Sequence, residues 1–145
     1  MAKREKMEPL GTHEIAVRVR YAETDAMGVL HHATYPVYFE MARTEALRTC
    51  GGSYRDMEAG GYFLVVAEMS LKYRAPARFD DELTVLVKTM TVSAVKLIHE
   101  YEVRRAGALL TEGRTVLACV DGAGRIQRMP EGLVETLGGE GGPNA

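Results

Sequence analysis

Hydrophobic and polar positions divide the chain into one alternating run, one broadly apolar run and a long alternating second half. From His13 to Arg20, Ile15, Val17 and Val19 alternate with Ala16, Arg18 and Arg20, the period of two that marks a half-buried strand. A helix is expected next, capped by the Thr34 side chain, with Pro36 in its first turn and a stop at Gly51-Gly52 after about Cys50. Its apolar residues, among them Val37, Phe39, Met41, Ala42 and Leu47, cover more than one stripe, which predicts enclosure on several sides. Glu40, Arg43, Glu45 and Arg48 form its polar edge, with Glu45 and Arg48 spaced for an i,i+3 pair. Ser53 can cap a short turn through Glu58 that ends at Gly60-Gly61.

The remainder reads as strand. Phe63–Arg74, Leu83–Thr91, Val95–Arg105 and Ala108–Val120 are separated by Ala75-Pro76-Ala77, Asp80-Asp81 and Gly107, and Asp121-Gly122 closes the last. Short turns between long strands predict an antiparallel meander. Met129–Leu137 is expected to be a final short helix, with Pro130 near its start. Helices segregated from strands indicate an α+β fold, a sheet of about five to six strands curled around one long helix. Ile98, Leu109 and Leu117 lie on strand faces that one helix cannot all cover, so self-association is expected. Residues 1–10 read as a mobile arm, 11–137 as a single domain and 138–145 as a disordered glycine-rich tail.

Composition narrows the class without changing the fold. At 145 residues, 46% hydrophobic and 26% charged, this is an ordinary globular chain large enough for a substantial core. A net charge of −2 with scattered cations gives no footprint for nucleic acid. No apolar run approaches the roughly 20 residues needed to span a bilayer, and the charged start has no signal-peptide core. The expected compartment is therefore the cytoplasm. Cys50 and Cys119 lie in apolar sequence and are expected to be buried, inert thiols. One Asn, one Gln and an excess of Arg over Lys would suit a heat-stable protein.

The candidate chemistry concentrates in Tyr21–Tyr35, between the first strand and the long helix. Asp25 precedes Gly28, His31 and His32 follow, and a helix start comes next. A carboxylate beside a helix N-terminus suits acyl transfer, because free backbone N–H groups can meet an oxyanion. The plainer alternative is that Asp25 only caps a turn. Gly28 permits a tight turn. A metal site is not expected: adjacent histidines should point apart, and no Cys or Glu at ligand spacing completes a set. No P-loop or GxGxxG is present, so no cofactor is expected. His99 alternates with Leu97 and Tyr101 and should sit on a sheet face.

The run Asp25-Ala26-Met27-Gly28-Val29-Leu30-His31-His32-Ala33-Thr34-Tyr35, with Glu40-Met41-Ala42-Arg43-Thr44-Glu45 and the segment Met69–Leu83, resembles the signature of the 4-hydroxybenzoyl-CoA thioesterase family of hotdog-fold proteins. The likeness covers roughly residues 13–130 and is greatest to the bacterial acyl-CoA thioesterase branch linked to the Tol-Pal cell-envelope system. It implies cleavage of an acyl-CoA thioester to free acid and CoA, without metal or cofactor. Asp25 would be nucleophile or general base, and the backbone N–H of His32 the oxyanion donor, with its side chain as base or polariser of the thioester the alternative. Gly28, Val29, His31 and Tyr35 would line the substrate site, Tyr35 mainly by packing at its floor. Glu40 would orient the loop or pair with Arg43, with the structural role favoured. Lys72, Arg74 and Lys96 would meet the CoA phosphates, against the bland reading of solvated strand charges. The resemblance also implies a homodimer, pairing again into a homotetramer, with sites at the subunit interface. Two rivals stand beside hydrolysis: a hotdog hydratase or dehydratase using an Asp/His pair, and a non-catalytic acyl-CoA-binding or interaction module.

Overall fold

The computed structural model describes residues 7–137; the glycine-rich tail over 138–145 and the first six residues of the expected arm lie outside the described residues. Strand β1 (Gly11–Arg18) leads through a loop into helix α1 (Tyr35–Thr49), then the short helix α2 (Tyr54–Ala59). Strands β2 (Phe63–Tyr73), β3 (Glu82–Val92), β4 (Lys96–Arg105) and β5 (Ala108–Val120) follow, and α3 (Leu133–Thr136) ends the described chain. All neighbours are antiparallel in one five-stranded sheet of order β1-β3-β4-β5-β2. The expected meander therefore holds only for β3-β4-β5. Between β2 and β3 the chain crosses the end of the sheet, so β1 and β2 become opposite edges. Among the described residues no helix is long and apolar enough to cross a membrane.

Helix α1 packs on one face of the sheet, over β1 and β3. Tyr35, Tyr38, Phe39, Ala42 and Leu47 are buried, whereas Val37 and Met41 are 52% and 44% exposed. The helix is not enclosed on several sides within one protomer, which corrects the expectation from its apolar breadth. Leu117 is also buried rather than stranded on an outer face. It packs with Leu47 and Leu97, and Leu133 and Leu137 of the C-terminal turn close over them. That turn is shorter than expected, four residues beginning after Pro130. Cys119 is buried as expected, but Cys50 lies exposed where α1 ends.

At the centre, the Phe39 ring stacks on Tyr101 with centroids 4.2 Å apart and planes 13° from parallel. Gly113 lies opposite Tyr101 on β5, and a Cβ there would come 2.3 Å from the Phe39 ring. The Tyr101 hydroxyl shares a 2.7 Å hydrogen bond with Thr115 Oγ1 and faces Arg43 Nη1 at 3.5 Å. His99 is 1% exposed on the same face, and its Nδ1 has no partner among the described residues.

Burial, with the Arg43 charge nearby, pulls the His99 imidazole down from its usual 6.5 to about 3. The folded protein thus keeps His99 neutral while the unfolded chain protonates it below pH 6.5. The His99 contribution to stability should be lost as pH drops through that window and level off near pH 3, a loss of about 2 kcal/mol between pH 7 and pH 5. Urea unfolding across this range should show the slope, and His99→Leu should flatten it. A wild-type stability independent of pH from 7 to 5 would contradict this assignment.

Candidate active site

The loop between β1 and α1 is a small closed hairpin. A 3-10 turn over Tyr21–Glu23 leads into it, and the His31 N–H donates to the Glu23 carbonyl at 2.8 Å to close its neck. Thr24 bridges Leu30, and the Asp25 N–H donates to the Val29 carbonyl at 2.9 Å. At the tip the Gly28 N–H returns to the Asp25 carbonyl at 2.9 Å, with Gly28 at φ +75°. A Cβ at Gly28 would meet nothing within 4 Å, so the positive φ, not crowding, calls for glycine. The hairpin lies along the chain after β2: Leu30 N–H donates to the Ala77 carbonyl at 2.8 Å and Val29 bridges Arg78.

Asp25 is half-buried in this turn. Its Oδ1 accepts the Met27 N–H at 2.8 Å and the Val29 N–H at 3.3 Å. The turn-capping alternative is therefore real, but it occupies one oxygen. No hydrogen bond among the described residues uses Oδ2. The turn is open on the protomer surface, with Met27 81% and Tyr21 77% exposed, and Tyr21 meets Phe79 edge to face at 5.5 Å.

The helix start differs from the expected one. A 3-10 turn over His32–Thr34 precedes α1, and the Thr34 side chain makes no cap. His31 is the cap: its Nδ1 accepts the Ala33 N–H at 3.0 Å, so the neutral ring carries its proton on Nε2. The His31 and His32 rings do not point apart but stack, with centroids 4.2 Å apart and planes 27° from parallel. Among the described residues no group of three or more His, Cys, Asp or Glu is placed to hold a metal. The backbone N–H groups of His31, Ala33 and Thr34 are all engaged, whereas no hydrogen bond among the described residues uses that of His32. The His32 carbonyl accepts the Tyr73 hydroxyl at 3.0 Å. Tyr35 is 3% exposed and meets Tyr73 edge to face at 5.5 Å. Burial raises its phenol above the ordinary range, which keeps the proton on.

Two contributors carried no expectation from sequence. The Glu23 Oε1 accepts the Arg20 N–H at 2.8 Å and the Tyr38 hydroxyl at 2.9 Å, and Oε2 meets the Arg20 guanidinium at 3.2 Å. Burial pushes this carboxyl up, but those three donors outweigh it and hold it below the usual range. Tyr73 is the second, joining the β2 edge to the helix start. An acid three residues after Arg20 was the available signal for the first; nothing local marked the second.

The cations are placed less favourably. Tyr73 faces the helix start, so strand alternation turns Lys72 and Arg74 to the other side of β2. Arg74 is also paired with Glu112, at 2.6 Å from Nη2. Lys96 begins β4, whose far end, Arg105, lies at the Asp25 end of the sheet; ten residues place them about 30 Å apart. Glu40 lies 3.8 Å from Arg43 and faces a groove between β1 and α1 with Ile15, Met41 and Arg48, away from the hairpin.

Comparison with known proteins agrees with this architecture. Residues 19–137 match the Thioesterase-like superfamily. The acyl-CoA thioester hydrolase YbgC of Escherichia coli O6:H1 is 38% identical over 106 residues, 72% of this chain and 79% of that one. The hypothetical protein TT1821 of Thermus thermophilus superposes with a TM-score of 0.82 at 42% identity, covering 86% of this chain and 96% of that one. A DHNA-CoA thioesterase of Staphylococcus aureus gives 0.78 at 30% identity, covering 81% and 80%.

Proposed function

The chain belongs to the thioesterase-like superfamily, with the hotdog fold, and from that premise we propose that it hydrolyses acyl-CoA thioesters to a free acid and coenzyme A. The observation that supports the reading is a half-engaged carboxylate in the hairpin turn, with an uncommitted backbone N–H one residue past the hairpin neck, at the start of α1. Asp25 offers Oδ2 to the thioester carbonyl, or to a water that attacks it. The His32 N–H meets the oxygen on which negative charge collects, and the dipole of α1 adds to it. The thiolate of CoA leaves readily, so no strong acid need be placed behind it.

Each site takes parts from two subunits in this reading. β2 is an 11-residue sheet edge that exposes Val65, Val66, Met69 and Tyr73, a surface suited to pairing with a second copy of itself. Antiparallel pairing of two β2 strands brings the Lys96 end of one sheet to the Asp25 end of the other. Lys96 of the partner subunit then becomes the candidate for CoA phosphate, and the exposed Val37 and Met41 face of α1 suits a further pairing into a tetramer. The proposed compartment is the cytoplasm.

Hydratase chemistry would need the His32 side chain itself. His32→Ala keeps the backbone N–H and should retain thiol release within about tenfold of wild type, since a general base or acid would contribute 100-fold or more. Complete loss of activity in a folded His32→Ala protein would favour the hydratase reading. Release of free thiol from a panel of acyl-CoAs tests the assignment as a whole and separates an enzyme from a binding module.

A further inference from the structure

We propose that Glu23 is a positioning residue that braces the Asp25 hairpin against α1 through Tyr38, and so sets the turnover rate of the site. The inference rests on the reading of Asp25 given above. Three contacts of one residue carry it. The Glu23 carbonyl closes the hairpin neck by accepting the His31 N–H at 2.8 Å. Its Oε1 reaches across to the Tyr38 hydroxyl at 2.9 Å, and Tyr38 is 2% exposed on the buried side of α1. The same oxygen holds the Arg20 N–H at 2.8 Å, where the chain leaves the sheet. Asp25 stands two residues past the neck toward the hairpin tip, and His32 one residue past it in the other direction, in the 3-10 turn that leads into α1. The neck closed at Glu23 therefore lies between them, and the Glu23–Tyr38 contact sets how the strand that carries Asp25 sits against α1.

The competing explanation is that Ala77 and Arg78 hold the hairpin sufficiently on their own. Those contacts grip Val29 and Leu30, on the strand that returns from the tip. Without the Glu23 carboxylate, the outgoing strand with Asp25 would be tied to the body only through that returning strand. A carboxylate misplaced by about 1 Å can lose about 100-fold in rate.

The test uses the full chain and the acyl-CoA turned over fastest in a panel of acetyl-, hexanoyl-, palmitoyl- and benzoyl-CoA. Glu23→Ala should lower kcat about 100-fold and leave KM within about twofold, with faster amide exchange at Leu30 and His31. Glu23→Gln keeps an oxygen for both donors and should recover to within about fivefold of wild type. Tyr38→Phe should lower kcat in the same direction and add nothing in the Glu23→Ala background, as expected of two ends of one contact. A folded Glu23→Ala protein with kcat within twofold of wild type overturns the proposal. So does a loss confined to KM, or a Glu23→Gln variant no better than the alanine. Asp25→Asn is measured alongside: full turnover there removes the Asp25 reading, and amide exchange in Glu23→Ala then judges the brace alone, unchanged exchange overturning it.

Discussion

Asp25→Asn is expected to lower kcat for thioester hydrolysis by about a thousandfold while the protein stays folded. Asparagine keeps Oδ1, so it can still accept the Met27 and Val29 N–H groups that hold the turn at 2.8 and 3.3 Å. The replacement removes the charge and turns the free oxygen into an amide that can neither attack a carbonyl nor take a proton from water. The change should therefore fall on chemistry, with stability altered by no more than about 0.5 kcal/mol. Near-wild-type turnover in a folded Asp25→Asn protein would remove Asp25 from the mechanism and leave it as the turn cap that its bonded oxygen already is.

Gly113→Ala should destabilise the fold by about 3 kcal/mol, a large share of the stability of a domain this size. The added methyl would sit 2.3 Å and 2.5 Å from two Phe39 ring carbons. That ring cannot swing away, because it is 0% exposed and stacked 4.2 Å from Tyr101. Relief would require α1 to lift from the sheet, carrying the helix start with it. Chemical denaturation should show the loss, and a stability within 0.5 kcal/mol of wild type would mean that the packing of α1 on the sheet is looser than described. At Gly52 a Cβ would come 2.6 Å from Leu47 Cδ1 and 2.9 Å from its Cγ, so the buried Leu47 side chain would have to shift.

Much of this was legible in the chain because local rules govern it. The alternation of Ile15, Val17 and Val19 marked β1, and the Ser53 cap is made as its sequence implies, accepting the Asp56 N–H at 3.3 Å. The Glu45–Arg48 pair forms as its spacing predicts. Most of the misses depend on what lies far away in sequence. β2 departs from the meander because the segment after Tyr73 is held across the sheet end, where Asp80 N–H donates to the Val19 carbonyl and Val19 N–H to the Asp81 carbonyl. No periodicity encodes such a crossing. Thr34 has the right chemistry for a cap, but it is already in helical conformation and His31 has taken the position. Val37 and Met41 read as core because their pattern cannot distinguish a surface covered by the same chain from one left open in the protomer.

At the site, the resemblance pointed to Asp25, Gly28 and the amide of His32; the hairpin places Asp25 and Gly28 in one turn, with His32 just past its neck. The resemblance could not show that Arg74 is committed to Glu112, or that Lys96 lies at the far end of its own sheet. The role of Glu23 comes from Tyr38, fifteen residues on, a contact that no local pattern marks.

The most direct test of the central claim is release of free CoA thiol by the purified full-length protein across acyl-CoAs of increasing length and a benzoyl ester. The account predicts turnover of at least one of them, abolished by Asp25→Asn and largely retained by His32→Ala. Binding of acyl-CoA without thiol release, by a folded wild-type protein across the whole panel, would contradict it.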